Sequence, residues 1–214
     1  MAPVRILWLK RAVFAACLLP LAALALDGWR RSLGANPIAA IEHSTGRWAL
    51  VLLLVTLSVT PLRRLTGCYW MLRFRRMFGL YSFFYTCLHV LSYVVLDQFF
   101  DWTAIFHDIS KLPFMTVGFA SFVLLIPLAL TATNGTVRRL GAKRWQALHR
   151  LVYVIAIGGV LHYLWLVKLN ATDPDIYAAI LAVLLGFRVV MVIGRLIQRP
   201  MTERLPRLPA DGAE

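Results

Sequence analysis

Six apolar runs separated by short polar segments leave this 214-residue chain few architectures. The runs fall at about 12–26, 48–62, 78–96, 114–132, 145–167 and 176–197. A hydrocarbon core roughly 30 Å thick asks for about 20 mostly apolar residues per helical crossing, and inside it every backbone N–H and C=O must be paired within the protein. The runs therefore predict an all-α, polytopic bundle of six transmembrane helices, one unit over residues 1–200 with a short tail over 201–214. With 60% hydrophobic and 15% charged residues, the chain is far outside the composition of soluble domains. A net charge of +13 would otherwise suggest nucleic acid as a partner, but no folded aqueous domain is available to carry a basic groove.

The charge is topological instead. Six spans put both termini on one side, and 18 of the 23 Lys and Arg residues fall on that side while 7 of the 10 acids fall on the other. By the positive-inside rule both termini are expected in the cytoplasm. The first run follows Arg5, Lys10 and Arg11, is interrupted by Pro20, and has the outline of a signal peptide near Ala23 and Ala25. It is read as a retained span, because more spans follow rather than a soluble domain to export. The outer segments 27–47, 97–113 and 168–175 are then the surface available for docking a partner.

The stretch HRLVYVIAIGGVLH, from His149 to His162, sets two imidazoles along one apolar helix. Thirteen residues at ~1.5 Å each place them roughly 20 Å apart along the axis, one towards each face. A third, His89, lies in span three. Ionisable groups within a bilayer are costly enough to be functional by default, and neutral imidazole is a common axial ligand of haem iron. Spans three and five cross in the same direction and carry His89 and His162 at similar depth, so a haem fits between those two. His149 lies deeper towards the cytoplasm, without a histidine partner. On an ideal helix His149 and His162 are also about 140° apart around the axis. Gly158 and Gly159 between them are expected either to bend or rewind the helix or to form a close-packing site. His43 and His107 fall outside the membrane core and are expected to be solvated or capping residues, with His43 a secondary candidate near the haem.

Three arginines join the candidate list. Arg75 and Arg76, next to Arg73 before span three, form a basic cluster that topology largely explains but that also suits a haem propionate or a cofactor phosphate. Arg188 in span six could pair with a propionate or a quinone, although snorkelling to the cytoplasmic surface is the expected behaviour. No CxxCH occurs, so covalent haem attachment has no support in the sequence.

The stretches HSTGRWAL from His43, TPLRR from Thr60, RRMFGLYSFFYTCLHVLSY from Arg75, KRWQALHRLVYVIAIGGVLHYLWLVK from Lys143 and IYAAILAVLLGFR from Ile176 resemble the ferric-reductase-like transmembrane family. The likeness is strongest to the haem-binding membrane subunits of bacterial periplasmic methionine sulfoxide reductase systems. It implies an inner-membrane haem b protein that takes electrons from the quinone pool and passes them to a periplasmic molybdenum-cofactor methionine sulfoxide reductase. It would thus support repair of oxidised proteins without itself being the catalytic subunit. Carried over by position, His89 and His162 are the axial ligands and His149 a second or alternative ligand, giving one haem or two. The third span lacks the second histidine of two-haem relatives such as the NADPH oxidases, which weighs against a second bis-histidine haem. The resemblance also implies an FMN, without assigning its site.

About 18 residues follow span six, too few for a flavin and nicotinamide domain, and no GxGxxG or Walker-type run is present. Electrons are therefore expected from a membrane-soluble donor or a separate protein. Two other functions fit the spacing of the residues alone: a stand-alone ferric or cupric reductase, and a haem-free transporter or proton pathway using the same histidines.

Overall fold

The computed structural model describes residues 3–167 and 172–197, which are helical throughout apart from short connections. The tail over 201–214 and the end of span five at Lys168 lie outside the described residues. The helices are α1 (Pro3–Trp29), α2 (Pro37–Thr66), α3 (Leu72–Ser92), α4 (Trp102–Lys111), α5 (Pro113–Leu130), α6 (Asn134–Leu140), α7 (Ala142–His149), α8 (Leu151–Leu166) and α9 (Thr172–Ile197). Six stretches are long and apolar enough to cross a membrane: α1, α2, α3 with its flanking turns, α5, α7 with α8, and α9.

Three features differ from the sequence expectation. Helix α2 begins about eleven residues before Trp48, because Asn36 caps it by accepting from Ala39 N at 3.1 Å and Pro37 supplies a ready-made first turn. The acidic segment after span three contains α4, which Asp101 caps through Ala104 N. Its Ile105 is buried while Trp102 and Phe106 are exposed, as in a helix lying in a membrane interface. The fifth span is interrupted at Arg150, whose N–H is shared between Gln146 O and Ala147 O at 3.2 Å each, so that α7 and α8 are not one ideal helix carrying both histidines.

Helix α2 is the hub. Its Leu50, Leu53, Leu54 and Leu57 pack with Leu125 and Leu128 of α5, Ile155 and Ala156 of α8 and Leu181 of α9. Helices α2 with α3, and α5 with α8, are the most extensively packed pairs. Lipid tails are as apolar as leucine, so association in a membrane depends on close approach and interhelical hydrogen bonds rather than on burial from water. Both occur here. Ser82 of α3 donates to Ala49 O of α2 at 2.8 Å, fully buried, and Gly158 of α8 lies directly against Ser121 of α5. Gly158 is thus a close-packing site, and α8 runs without a bulge from Leu151 to Leu166.

Pro20 explains how α1 is fastened. A proline inside a helix strains the turn before it, and here the Tyr85 hydroxyl enters the opened turn, donating to Cys17 O at 2.8 Å and accepting from Leu21 N at 3.2 Å. Tyr81 adds a hydrogen bond to Phe14 O at 3.1 Å. Tyr85 is buried, so Tyr85→Phe leaves two α1 backbone groups without that partner. We expect a loss of about 1–3 kcal/mol, read as a lowered melting temperature in detergent. An unchanged melting temperature would show that α1 is held by apolar contacts alone.

Candidate functional site

Helices α2, α3, α4, α5 and α8 enclose a cavity of about 420 Å³, within the size range of small-molecule and cofactor sites. Two histidines enter it from different helices. His89 comes from α3, four residues before a π-helical turn over Tyr93–Asp97, and His162 comes from α8. Their ring centroids are 6.1 Å apart and the ring planes are inclined by 74°.

The hydrogen bonds fix which nitrogen each ring offers. His89 Nδ1 lies 3.0 Å from Glu42 O, and His162 Nδ1 lies 2.7 Å from Phe114 O. A carbonyl can only accept, so both rings carry the proton on Nδ1 and keep the Nε2 lone pair for a ligand. This is the usual second-shell arrangement of a metal-bound histidine. Two metal–nitrogen bonds of about 2 Å, with the half-widths of two rings, place such centroids roughly 6 Å apart. The observed pair therefore fits a single metal centre between the rings, and the apolar wall of Leu50, Leu53, Phe122 and Leu125 suits a macrocycle around it.

Both rings lie against glycine. A Cβ on Gly46 of α2 would sit 3.1 Å from His89 Nδ1, and one on Gly118 of α5 would sit 2.5 Å from His162 Nδ1. Neither glycine stands out in the sequence. Their signal was small-residue spacing opposite each histidine, which in membrane helices more often marks ordinary helix packing.

The cavity's rim is polar and uneven. Glu42, Asp97 and Asp108 line it, and Tyr93 donates to Asp108 Oδ2 at 2.8 Å. Arg47 also lines it and donates from Nε to the Tyr177 hydroxyl at 3.1 Å. His43 is exposed at this rim, while His107 is exposed on α4, 3.7 Å from Asp108.

The other predicted residues do not line this cavity. His149, at the end of α7, is stacked on Trp145 with centroids 4.0 Å apart, and its Nε2 lies 3.1 Å from Thr131 Oγ1. The Thr131 hydroxyl hydrogen is directed to Pro127 O at 2.6 Å, so His149 donates from the nitrogen that His89 and His162 leave open. Arg76 donates to Asn134 Oδ1 at 2.8 Å and ties α3 to α6, and Arg75 is half-buried one residue before it. Arg188 does not snorkel. It turns inward, its guanidinium carbon 4.8 Å from the centroid of the Tyr153 ring, and donates to Leu57 O at 2.7 Å. Pro61, four residues after Leu57, has no N–H to give, so this carbonyl is open to a side chain. A second nitrogen of Arg188, Nη1, is buried without a partner among the described residues.

A six-span bundle with an imidazole pair facing a largely apolar cavity is what the sequence comparisons also point to. The family described as ferric reductase like transmembrane component matches residues 45–160, more than half of the chain, and the chain belongs to it. Within that family it is similar to proteins named protein-methionine-sulfoxide reductase heme-binding subunit MsrQ. The MsrQ of Azospira oryzae is 56% identical over 183 residues, covering 85% of this chain and 78% of the relative. That of Rhodospirillum rubrum is 54% identical, covering 86% and 88%, and that of Herminiimonas arsenicoxydans is 52% identical, covering 88% and 87%.

Proposed function

We propose that the protein is the haem b-binding electron-transfer subunit of a methionine sulfoxide reductase system, with His89 and His162 as the residues that would hold the haem iron. The observation that carries this is the imidazole pair: 6.1 Å between centroids, each Nδ1 donated to a carbonyl and each Nε2 left open. A bound haem supplies one-electron redox chemistry there. The protein's own part is to hold and tune it. The Glu42 and Phe114 carbonyls orient the rings and make them stronger donors, and the apolar wall keeps water from the iron, a determinant of potential.

The wider reading places the chain in the bacterial inner membrane with both termini cytoplasmic. It receives electrons from the quinone pool and delivers them to a periplasmic MsrP-type molybdenum enzyme that reduces methionine sulfoxide in oxidised proteins. The cavity lies at the bundle end that carries the acidic segments, which the charge pattern assigns to the periplasm, and α4 with residues 27–47 offers the nearest docking surface. Arg75, Arg76, Arg188 and His149 belong to the opposite, basic end. That end suits the acquisition of electrons, from a quinol or through FMN, and His149 is the candidate there for a second centre.

The test is reconstitution in liposomes with a reduced quinol and the purified MsrP-type partner. Methionine sulfoxide consumption that requires quinol, partner and this protein together is the expected result. Quinol-dependent reduction of ferric citrate, with no transfer to the partner, would replace this reading with a stand-alone metal reductase.

A further inference from the structure

The uneven rim distinguishes the two sides of the cavity for an anionic ligand. Haem carries two propionate carboxylates on one edge, and these must meet some part of the lining. Asp97 and Asp108 repel them where they approach, and among the described lining residues Arg47 is the single Lys or Arg. Arg47 makes no ion pair among the described residues: Asp173 of α9 is near enough to act on its charge but not in contact, and its hydrogen bond goes to the Tyr177 hydroxyl. That bond engages Nε and leaves the terminal guanidinium nitrogens for a carboxylate, which Arg binds in a paired, charge-assisted geometry.

Its position is tied to both proposed ligands. Arg47 follows Gly46, against which the His89 ring lies, and Tyr163 follows His162. Tyr177 of α9 joins the two sides, its hydroxyl bonded to Arg47 and its ring centroid 6.0 Å from that of Tyr163. We infer that Arg47 is the propionate anchor of the cavity, that Tyr177 is its positioning residue, and that together they hold the propionate edge of the haem at the Arg47–Tyr177 side of the rim, away from Asp97 and Asp108. This rests on the His89–His162 reading, and it gives the propionate role to a residue other than Arg75, Arg76 and Arg188.

The test compares haem with haem dimethyl ester, whose carboxylates are masked, in the purified full chain. Transfer of the group to excess apomyoglobin is timed for the wild type, Arg47→Gln and Arg47→Lys. A charge-assisted bond at a partly exposed rim predicts that Arg47→Gln loses haem about tenfold faster than the wild type, with Arg47→Lys between them. Haem dimethyl ester should leave the wild type and Arg47→Gln at the same rate. The wild type alone should release the ester about tenfold faster than haem, a comparison that survives a variant failing to fold. Equal haem loss from the wild type and Arg47→Gln, or a difference that persists undiminished with the ester, overturns the anchor. Parallel measurements on His89→Ala and His162→Ala keep the two proposals apart. If those variants hold haem like the wild type, the ligand assignment fails, whereas if they lose it and Arg47→Gln does not, the anchor alone fails.

Discussion

His89→Ala and His162→Ala are each expected to purify with most of the haem gone, while His149→Ala keeps the haem of the cavity. Each of the first two removes one imidazole of the pair, and among the described lining residues no third imidazole stands between the rings, His43 being exposed at the rim. Both lost side chains leave a space of ring size beside a glycine, so added imidazole should restore part of the haem signal. That rescue separates loss of a ligand from loss of the fold. Haem content at the wild-type level in His89→Ala, with an unchanged low-spin spectrum, contradicts the ligand assignment.

A methyl group on the neighbouring helix should be almost as damaging. In Gly118→Ala the new Cβ would meet His162 Nδ1 at 2.5 Å and Cε1 at 2.9 Å, closer than Cβ atoms are found, so the ring or the α5–α8 packing must move. The ring is held by Phe114 O, and moving it breaks the bond that fixes its tautomer. We expect haem content to fall severalfold and the fold to lose about 1–3 kcal/mol from overpacking. Gly46→Ala serves as the graded comparison, because its Cβ would sit 3.1 Å from His89 and needs only a few tenths of an ångström of yielding. Haem content should therefore fall in the order wild type, Gly46→Ala, Gly118→Ala. Full haem in Gly118→Ala would mean that His162 does not occupy this position in the holoprotein.

The six crossings were legible because an apolar run of membrane length has few other uses, and the likeness of His89 and His162 in depth followed from counting residues along spans of known direction. What was hidden shares one physical cause. The deciding partners are far apart in the chain and of types with many roles. Gly46 and Gly118 read as ordinary small residues until an imidazole lies on them. Arg47 read as one of five basic residues on the acidic side, and nothing in its own surroundings in sequence pointed to Tyr177, 130 residues away. Arg188 was misjudged because snorkelling is the default for an arginine near a membrane face, whereas the carbonyl opened by Pro61 draws it inward. Helix α4 is hidden because a ten-residue amphipathic segment, short and bounded by Asp101 and Lys111, reads as a loop between longer hydrophobic runs. The interruption at Arg150 coincides with the step from the polar sequence of α7 to the apolar sequence of α8, which hydropathy reads as the membrane face of one continuous helix rather than as a break in it.

The most direct test of the central claim is a dithionite-reduced minus oxidised visible spectrum of the detergent-purified wild type, with haem quantified per chain. A haem held between His89 and His162 predicts a low-spin b-type difference spectrum at one haem per chain or more. A colourless protein, even when haem is supplied during expression, would contradict it and leave the two imidazoles to structural or proton-handling work.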